Sequence, residues 1–219
     1  MIPVKIADIK TNIPTSWDEI TLGQYIDLVN YKDDLSVIRL LSIVSGVSYG
    51  VLLNIDSDKF DERILDTMEF IKEPINIHDF KDSDEIKING KVIKVPNPST
   101  QTIGQKLLMQ SKVRIAQGNN TMHAELVCDA VAIYLQPLID GTEFDDSRIE
   151  EIKKIVYSLP LVDVYPVGSF FLRGWLTFLR LSGQPLQTIQ QTKKLGRDVP
   201  LFSLNFMSSI LLSSYLTTI

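Results

Sequence analysis

The chain of 219 residues contains one cysteine, Cys128, and two histidines, His78 and His123. A single cysteine excludes a disulfide within one chain and any zinc site that draws several cysteines from it. His123 and Cys128 are five residues apart, so on a helix they would lie on different faces and could not share a metal. A Gly-rich phosphate loop is also missing. We therefore expect no catalytic residues, no cofactor, no bound metal and no small-molecule substrate.

Positive charge is scarce as well: 22 lysines and arginines stand against 27 aspartates and glutamates, which gives a formal net charge of −5. Binding of nucleic acid through its phosphates needs clustered cations, so a nucleic-acid partner is not expected. The small cluster of Lys193, Lys194 and Arg197 is interpreted as a solvated face.

The carboxylates are unevenly distributed along the chain. Residues 54–85 hold eleven carboxylates against four cations, whereas residues 160–219 hold two against five. Two interpretations stay open. Both regions are simply solvated faces, or copies of the chain meet head to tail, acidic half against basic half, in a ring or a stack.

Residues 199–219 form an uncharged stretch near the end of the sequence. Its length would span a bilayer, but eight serine, threonine and asparagine residues make it more polar than usual membrane spans. We expect a helix docked on the same or a neighbouring subunit, and no membrane partner. Its candidate interaction residues are Phe202, Phe206, Met207 and Leu211. The first residues lack the basic start and apolar core of a signal peptide, so a cytoplasmic protein is expected.

Periodicity predicts a mainly α fold: a helical domain with one small β-hairpin at residues 85–95 and a C-terminal helical extension. Asn89-Gly90 separates two alternating runs and is the preferred pair for a type I′ turn. We expect a domain over residues 1–183, with the hairpin inserted at about residues 76–100, followed by a linker and an apolar helix over residues 184–219. No repeat of fixed period is visible.

Caps and prolines predict the helix ends. Thr21 and Gln24 have the spacing of a capping box and predict a helix to about Lys32. Two more helices are expected in the first half, from near Asp34 to a C-cap at Gly46 and from Ser57 or Asp58 to Pro74. Two follow the hairpin, from Thr102 to about Ala116 and from Thr121 to an end at Pro137. The last two run from a capping box of Ser147 and Glu150 to Ser158, and from Tyr165 to Leu181 with Pro166 in the first turn. Residues 2–9 predict a short strand or an extended arm.

One apparent catalytic motif is present, because residues 46–50, GVSYG, match G-x-S-x-G. A nucleophilic Ser48 needs a strained turn between a strand and a helix, and a histidine base backed by an acid. The residues before the motif have a helical pattern, so a helix C-cap followed by a turn is the preferred interpretation. A serine hydrolase using Ser48 is kept as an alternative.

Trp17 lies in the lead-in to the first predicted helix. It either staples that lead-in onto the helix or anchors a partner protein, so it is a candidate interaction residue. The aromatic residues of the last predicted helix before residue 183 recur at helical spacing and are assigned to the core.

Residues 13–29, IPTSWDEITLGQYIDLV, are followed by a short helix, Ser45-Gly46 and an acidic segment that ends in EFIKEP at residues 69–74. This series resembles structural or assembly proteins of tailed bacteriophages, and is similar to virion-cluster proteins of crAss-like phages. The resemblance covers roughly the first 100 residues, including the hairpin IKINGKVIKV. It implies a non-enzymatic structural protein of the tail or neck region. Such a protein is assembled in the host cytoplasm, resides in the virion, and binds itself and other phage structural proteins in several copies. A tail-assembly chaperone that is not retained in the virion is the alternative.

Overall fold

The structure, a computed structural model, describes residues 1–6, 8–31, 36–56, 63–73, 75–76, 79–88, 90–97, 100–119 and 123–181. The side chains of residues 117–119, 123 and 176–181 are outside this description. The described residues form a mainly α fold with two small antiparallel sheets, which confirms the expected fold class. They fall into two compact units, unit 1 within residues 1–76 and unit 2 within residues 77–181. The expected linker and apolar helix over residues 184–219 lie outside the described residues.

Unit 1 begins with a hairpin and continues with short helices. Strand β1 (Ile2–Ile6) pairs with strand β2 (Ile9–Ile13), and Ile6 lies opposite Ile9 at the turn. The helices are α1 (Leu22–Asn30), α2 (Val37–Ser45), α3 (Tyr49–Leu53) and α4 (Arg63–Thr67), with 3-10 turns at Trp17–Glu19 and Glu69–Lys72. The sequence predicted at most one strand here, because the polar residues of β2 hide its alternation.

Two predicted caps of unit 1 are confirmed, whereas α2 begins at Val37, three residues after the expected Asp34. Thr21 and Gln24 form the capping box at the start of α1, and Gly46 ends α2 with a left-handed φ of 70°. Helix α2 begins after Ser36, whose hydroxyl accepts a hydrogen bond from the backbone N–H of Arg39. The hairpin is tied to this helix because the hydroxyl of Thr11 donates to the carbonyl oxygen of Ser45 at 2.6 Å.

Unit 2 carries the predicted hairpin and four longer helices. Strand β3 (Glu85–Ile88) pairs with strand β4 (Lys91–Lys94), and Gly90 in the turn has a φ of 77°. The helices are α5 (Ile103–Asn119), α6 (His123–Asp140), α7 (Ile149–Ser158) and α8 (Leu161–Leu181), with a 3-10 turn at Asp146–Arg148. Helix α6 is central, because α5, α7 and α8 all pack against it.

Helices α6 and α8 approach closely. Gly168 of α8 lies directly against Val127 of α6, and a Cβ atom placed there would overlap the Val127 side chain and lie 3.2 Å from the Val127 carbonyl oxygen. The ring of Tyr134 stacks on Phe171 with 4.2 Å between centroids, and both side chains are buried together with Trp175. The aromatic residues of α8 with described burial therefore include core residues, as the periodicity predicted.

Three predicted helix ends in unit 2 are wrong. Helix α8 begins at Leu161, four residues before the expected Tyr165, so Pro166 lies in its second turn. Ser147 does not cap α7. Instead, the carboxylate of Asp145 accepts from the backbone N–H of Ser147 and starts the 3-10 turn that precedes the helix.

The third error concerns Pro137, which is predicted to end α6 but lies inside it. Proline has no N–H, so in a helix it leaves the carbonyl four residues earlier, here that of Ile133, without its usual donor. The side-chain amide of Gln105 supplies the missing donor, with Nε2 lying 3.1 Å from the Ile133 oxygen. Because this buried carbonyl is satisfied from α5, α6 continues to Asp140.

Gln105 also belongs to an arrangement that occurs twice in the chain. The residues Thr-Leu-Gly-Gln at 21–24 and Thr-Ile-Gly-Gln at 102–105 both follow a hairpin and start a helix. In each, the Thr backbone N–H donates to the Gln Oε1 at 2.9 Å and the Gln N–H donates to the Thr hydroxyl at 3.2 Å. In each, the Gln Nε2 donates to a carbonyl of the next helix, Val44 at 3.0 Å or Ile133 at 3.1 Å.

We call this arrangement of hairpin, connector, Thr-x-Gly-Gln cap and two helices the hairpin–cap module. One copy spans residues 2–45 and the other residues 85–140. Inspection of the sequence alone overlooked the repetition, because the two copies closely share only the cap residues and the alternation of the hairpins. The sequence signal of the repetition is the four-residue pattern Thr, Leu or Ile, Gly, Gln. This pattern begins eight residues after the buried Ile13 in the first copy and seven residues after the buried Val95 in the second.

Candidate functional site

Ser48 lies in a turn between two helices, α2 and α3, rather than between a strand and a helix. Its φ of −61° and ψ of 141° are ordinary extended values, so the backbone lacks the strain that a nucleophile elbow imposes. Gly46 is the helix C-cap that the preferred interpretation required. His78 and the side chain of His123 lie outside the described residues.

Trp17 is half-buried and uses both its ring and its N–H within unit 1. Its Nε1 donates to the carbonyl oxygen of Glu73 at 2.8 Å. Its ring makes edge-to-face contacts with Tyr25 of α1, at 6.3 Å between centroids, and with Phe70, at 5.5 Å. These contacts hold the lead-in, helix α1 and the segment at residues 69–73 together, which is the arrangement that the staple interpretation requires.

A cluster of charged side chains lies at the junction of α5, α6 and α7. Asp129 Oδ1 is 2.9 Å from Lys153 Nζ and 3.3 Å from Lys112 Nζ, and Glu150 completes the cluster at 3.6 Å from Lys112. Burial alone would lower the pKa of Lys153, but the hydrogen bond and the charge of Asp129 raise it overall. Opposite charges therefore compensate each other, and the cluster joins three helices of unit 2.

The described residues hold few groups suited to chemistry on a ligand. Among them, no group of three or more histidine, cysteine or acidic side chains is arranged to hold a metal ion. Cys128 is buried, and this burial raises the pKa of its thiol to about 12, so it is not a nucleophile at neutral pH.

Helix α5 presents the most distinctive surface of the described residues. Ile103, Leu107 and Ile115 are 77%, 58% and 54% exposed. Together with the exposed Ser111 they occupy every fourth position, which is the row of side chains that forms a packing ridge in the commonest class of helix pairs. We call these four residues the α5 ridge. Gln105, Met109 and Val113, on the other side of the helix, are buried.

The charges on α5 are all of one sign. The helix contains Lys106, Lys112 and Arg114 and no acidic residue. Lys112 points into the buried cluster with Asp129, whereas Arg114 is exposed and lies close in angle to Leu107 on the helix. The α5 ridge is therefore an apolar surface with a cationic border.

Two exposed apolar side chains also lie on α3 of unit 1. Val51 and Leu53 of α3 are 43% and 53% exposed, and the exposed Asp56 follows three residues later. Asp66 and Glu69, further along this acid-rich part of the chain, are exposed as well. Val51 and Leu53 are two residues apart, so they lie on opposite sides of α3 and do not form one surface.

Four of the five candidate interaction residues belong to the C-terminal segment. Phe202, Phe206, Met207 and Leu211 lie outside the described residues, so the structure brings only Trp17 of the five candidates into view. Among the helices of the described part, none combines the length and apolar character needed to cross a membrane. Sequence reasoning missed the α5 ridge, because apolar residues on both sides of a helix do not reveal which side is covered.

No protein-family model, no curated protein and no solved structure matches this chain.

Proposed function

We propose that the chain is a structural protein of the tail or neck of a bacteriophage, which acts through protein–protein contacts in a multi-copy assembly. The observation that carries the proposal is the α5 ridge. Three large aliphatic side chains that are each more than half exposed on one helix are typical of a surface that another polypeptide covers.

The charge distribution supports the same proposal. The acid-rich residues 54–85 and the cationic helix α5 give different parts of one chain opposite charge. Complementary charge on two parts of a chain favours contacts between copies and disfavours pairing of like surfaces. The resemblance of residues 13–29 and 69–74 to proteins of tailed phages is the reason for proposing a phage tail or neck as the assembly.

Mass spectrometry of purified particles of the phage that encodes this chain tests the proposal. We expect peptides from both units, at several copies per particle relative to a tail protein of known copy number. Presence in unfinished tails together with absence from mature particles would contradict the structural role and favour the assembly chaperone.

A matched pair of variants sharpens this test. Leu107→Glu places a charge on the α5 ridge, and Val92→Glu makes the same kind of change at an exposed position of β4. When each variant is supplied in place of the wild-type chain, particles should incorporate Val92→Glu and exclude Leu107→Glu. Equal incorporation of both variants would show that assembly does not depend on the α5 ridge, and would contradict its role in the proposal.

A further inference from the structure

Three helices of unit 1 meet at the side chain of Arg39. On α2, the guanidinium carbon of Arg39 lies 3.9 Å from the ring centroid of Tyr49, the first residue of α3, and 4.8 Å from that of Tyr31, which caps the end of α1. A guanidinium over the face of an aromatic ring is attracted by the electron density of the ring. The two rings therefore hold the Arg39 side chain in place before any partner binds. We call Tyr31, Arg39 and Tyr49 the Arg39 stack.

The ring contacts leave the hydrogen-bonding capacity of Arg39 unused. A guanidinium has five N–H donors in a planar fork. In the part of the chain that the structure describes, the Arg39 guanidinium donates no hydrogen bond and forms no ion pair. Because the side chain is already ordered, an acceptor that binds this fork does not bear the entropic cost of ordering it.

Exposed side chains border this stack. Leu53 follows Tyr49 by four residues, so both lie on the same side of α3. Leu53 is 53% exposed and Tyr31 is 41% exposed. Tyrosine and arginine are enriched in protein–protein interfaces and among the residues whose loss weakens binding most. An ordered arginine without an acceptor, beside exposed aromatic and aliphatic side chains, therefore indicates a surface that binds another polypeptide.

The isolated charge of Arg39 selects the kind of group that binds there. Helices α1, α2 and α3 contain no other lysine or arginine. Binding to the phosphates of a nucleic acid needs clustered cations, so these helices do not offer a nucleic-acid surface. A single guanidinium instead fits a single carboxylate, through two parallel hydrogen bonds.

The chain itself carries an excess of such groups. Residues 54–85 hold eleven carboxylates against four cations, and Asp66 on α4 is exposed and forms no ion pair with the described residues. We propose that the Arg39 stack of one copy binds a carboxylate in residues 54–85 of a second copy, with Leu53 packed against the second copy beside it. The inference rests on the proposed multi-copy function and names a contact that joins the copies.

A pair of substitutions at Leu53 tests the chemical class of the partner surface in the purified full-length chain. Leu53→Glu and Leu53→Lys remove the same exposed leucine and introduce opposite charges beside the Arg39 stack. Light scattering after size-exclusion chromatography should show oligomers of the wild-type chain. A carboxylate of the partner is repelled by the glutamate and attracted by the lysine, so Leu53→Lys should associate at least about tenfold more tightly than Leu53→Glu. Association of Leu53→Glu that equals that of Leu53→Lys, or a wild-type chain that stays monomeric, would overturn the inference.

Cross-linking identifies the bound carboxylate. Arg39→Lys keeps the positive charge but replaces the fork by an ammonium, so association should weaken about tenfold. A carbodiimide can couple the introduced amine to a carboxylate that touches it. In a mixture of unlabelled and nitrogen-15-labelled chains of this variant, mass spectrometry should find the introduced lysine joined to an aspartate or glutamate of residues 54–85 on a different chain.

Three results of the cross-linking would contradict the proposed contact. Coupling only within one chain, for example to Asp33 or Asp34 near Tyr31, would assign the fork to a carboxylate of the same copy. Coupling to carboxylates outside residues 54–85 of the second chain would assign it to a different surface. Lack of any coupling between chains would show that Arg39 does not lie at a contact between copies.

Controls distinguish this contact from a general effect of net charge and from loss of folding. Val92→Glu and Val92→Lys repeat the charge pair at an exposed position of β4 and should associate alike. A difference between them as large as the difference at Leu53 would overturn the inference. Circular dichroism should show unchanged helix content for these four variants, since each replaced side chain is exposed. If Arg39→Lys loosens unit 1, the Leu53 pair still tests the contact, because Leu53 is not part of the Arg39 stack.

The result can be distinguished from a failure of the proposed function. Several copies per purified particle, together with equal association of Leu53→Glu and Leu53→Lys, would reject the contact at Arg39 and leave the structural role intact. Absence from particles, together with the expected cross-link between chains, would reject the virion role and leave the contact intact.

Discussion

Gln105 is expected to be the most sensitive polar residue of unit 2, because its side chain serves two helices. Its Oε1 completes the cap of α5, and its Nε2 satisfies the Ile133 carbonyl that Pro137 leaves without a donor. In Gln105→Leu the reciprocal half of the cap is lost, at a cost of about 1 kcal/mol. The buried carbonyl also loses its partner, which costs a further ~1–3 kcal/mol. The free energy of unfolding of unit 2 should therefore fall by about 2–4 kcal/mol.

Pro137→Ala separates the two contributions. An alanine at this position regains an N–H that can donate to the Ile133 oxygen, so the carbonyl no longer depends on Gln105. In the Pro137→Ala background, Gln105→Leu should cost only the cap contribution. The double-mutant cycle should then give a coupling energy of about 1–3 kcal/mol between the two positions.

Urea unfolding followed by tryptophan fluorescence measures this coupling. The chain has two tryptophans, Trp17 in unit 1 and Trp175 in unit 2, so a Trp17→Phe background leaves one reporter buried in the core of unit 2. Gln24→Leu serves as the matched control, measured with Trp17 retained as the reporter of unit 1. The free-energy cost of Gln24→Leu should be the same with Pro137 and with Pro137→Ala. Additivity of Gln105→Leu and Pro137→Ala to within about 0.5 kcal/mol would refute the assigned role of Gln105.

Three further predictions concern unit 2. Gly168→Ala should destabilise it by about 1–3 kcal/mol, because the new methyl overlaps Val127, and Val127→Ala should recover part of this loss in thermal unfolding. Because the folded-state pKa of Lys153 is raised, its contribution to stability is present below the ordinary lysine pKa near 10.5 and is lost as pH rises through the raised value. Urea midpoints should fall above about pH 10.5 more in the wild-type chain than in Lys153→Met, and parallel curves would contradict this. Cys128, with its pKa raised to about 12, should react with iodoacetamide at pH 7.5 only after unfolding, and rapid labelling of the native chain would contradict its burial.

Local signals in the sequence were sufficient for the parts of the fold that local chemistry determines. Asn89-Gly90 between alternating residues predicted the hairpin of unit 2, and the T-x-x-Q spacing of Thr21 and Gln24 predicted the start of α1. Both depend on hydrogen bonds between neighbours in the sequence, so no knowledge of the tertiary structure was needed.

The error at Pro137 arose because a distant residue replaces a local partner. Pro137 ends a helix by every local rule, and the amide of Gln105, 28 residues before Ile133 along the chain, supplies the donor that lets α6 continue. The predicted start of α8 lies too late because local rules place Pro166 in the first turn, whereas it lies in the second. Such substitutions of one hydrogen-bond donor for another are invisible to patterns of neighbouring residues.

The candidate surfaces were the least predictable feature. The apolar residues of α5 lie on both sides of the helix, and their pattern does not say which side α6 covers. The comparison of α5 with α1 provides that information, because Leu22 and Ile26 show the same module with this side buried. The recurring Thr-x-Gly-Gln cap was present in the sequence, but its meaning depends on the matching hydrogen bonds of Gln24 and Gln105.

The two hairpins have a consequence for how this chain avoids unwanted aggregation. A sheet of only two strands leaves an outer edge on each strand where another polypeptide could add a strand. Exposed lysines occupy these strands, at Lys5 and Lys10 in one sheet and at Lys87, Lys91 and Lys94 in the other. Lysine on an edge opposes the close approach of a further strand, so fibril-like growth through the hairpins is disfavoured while helical surfaces stay open to neighbours.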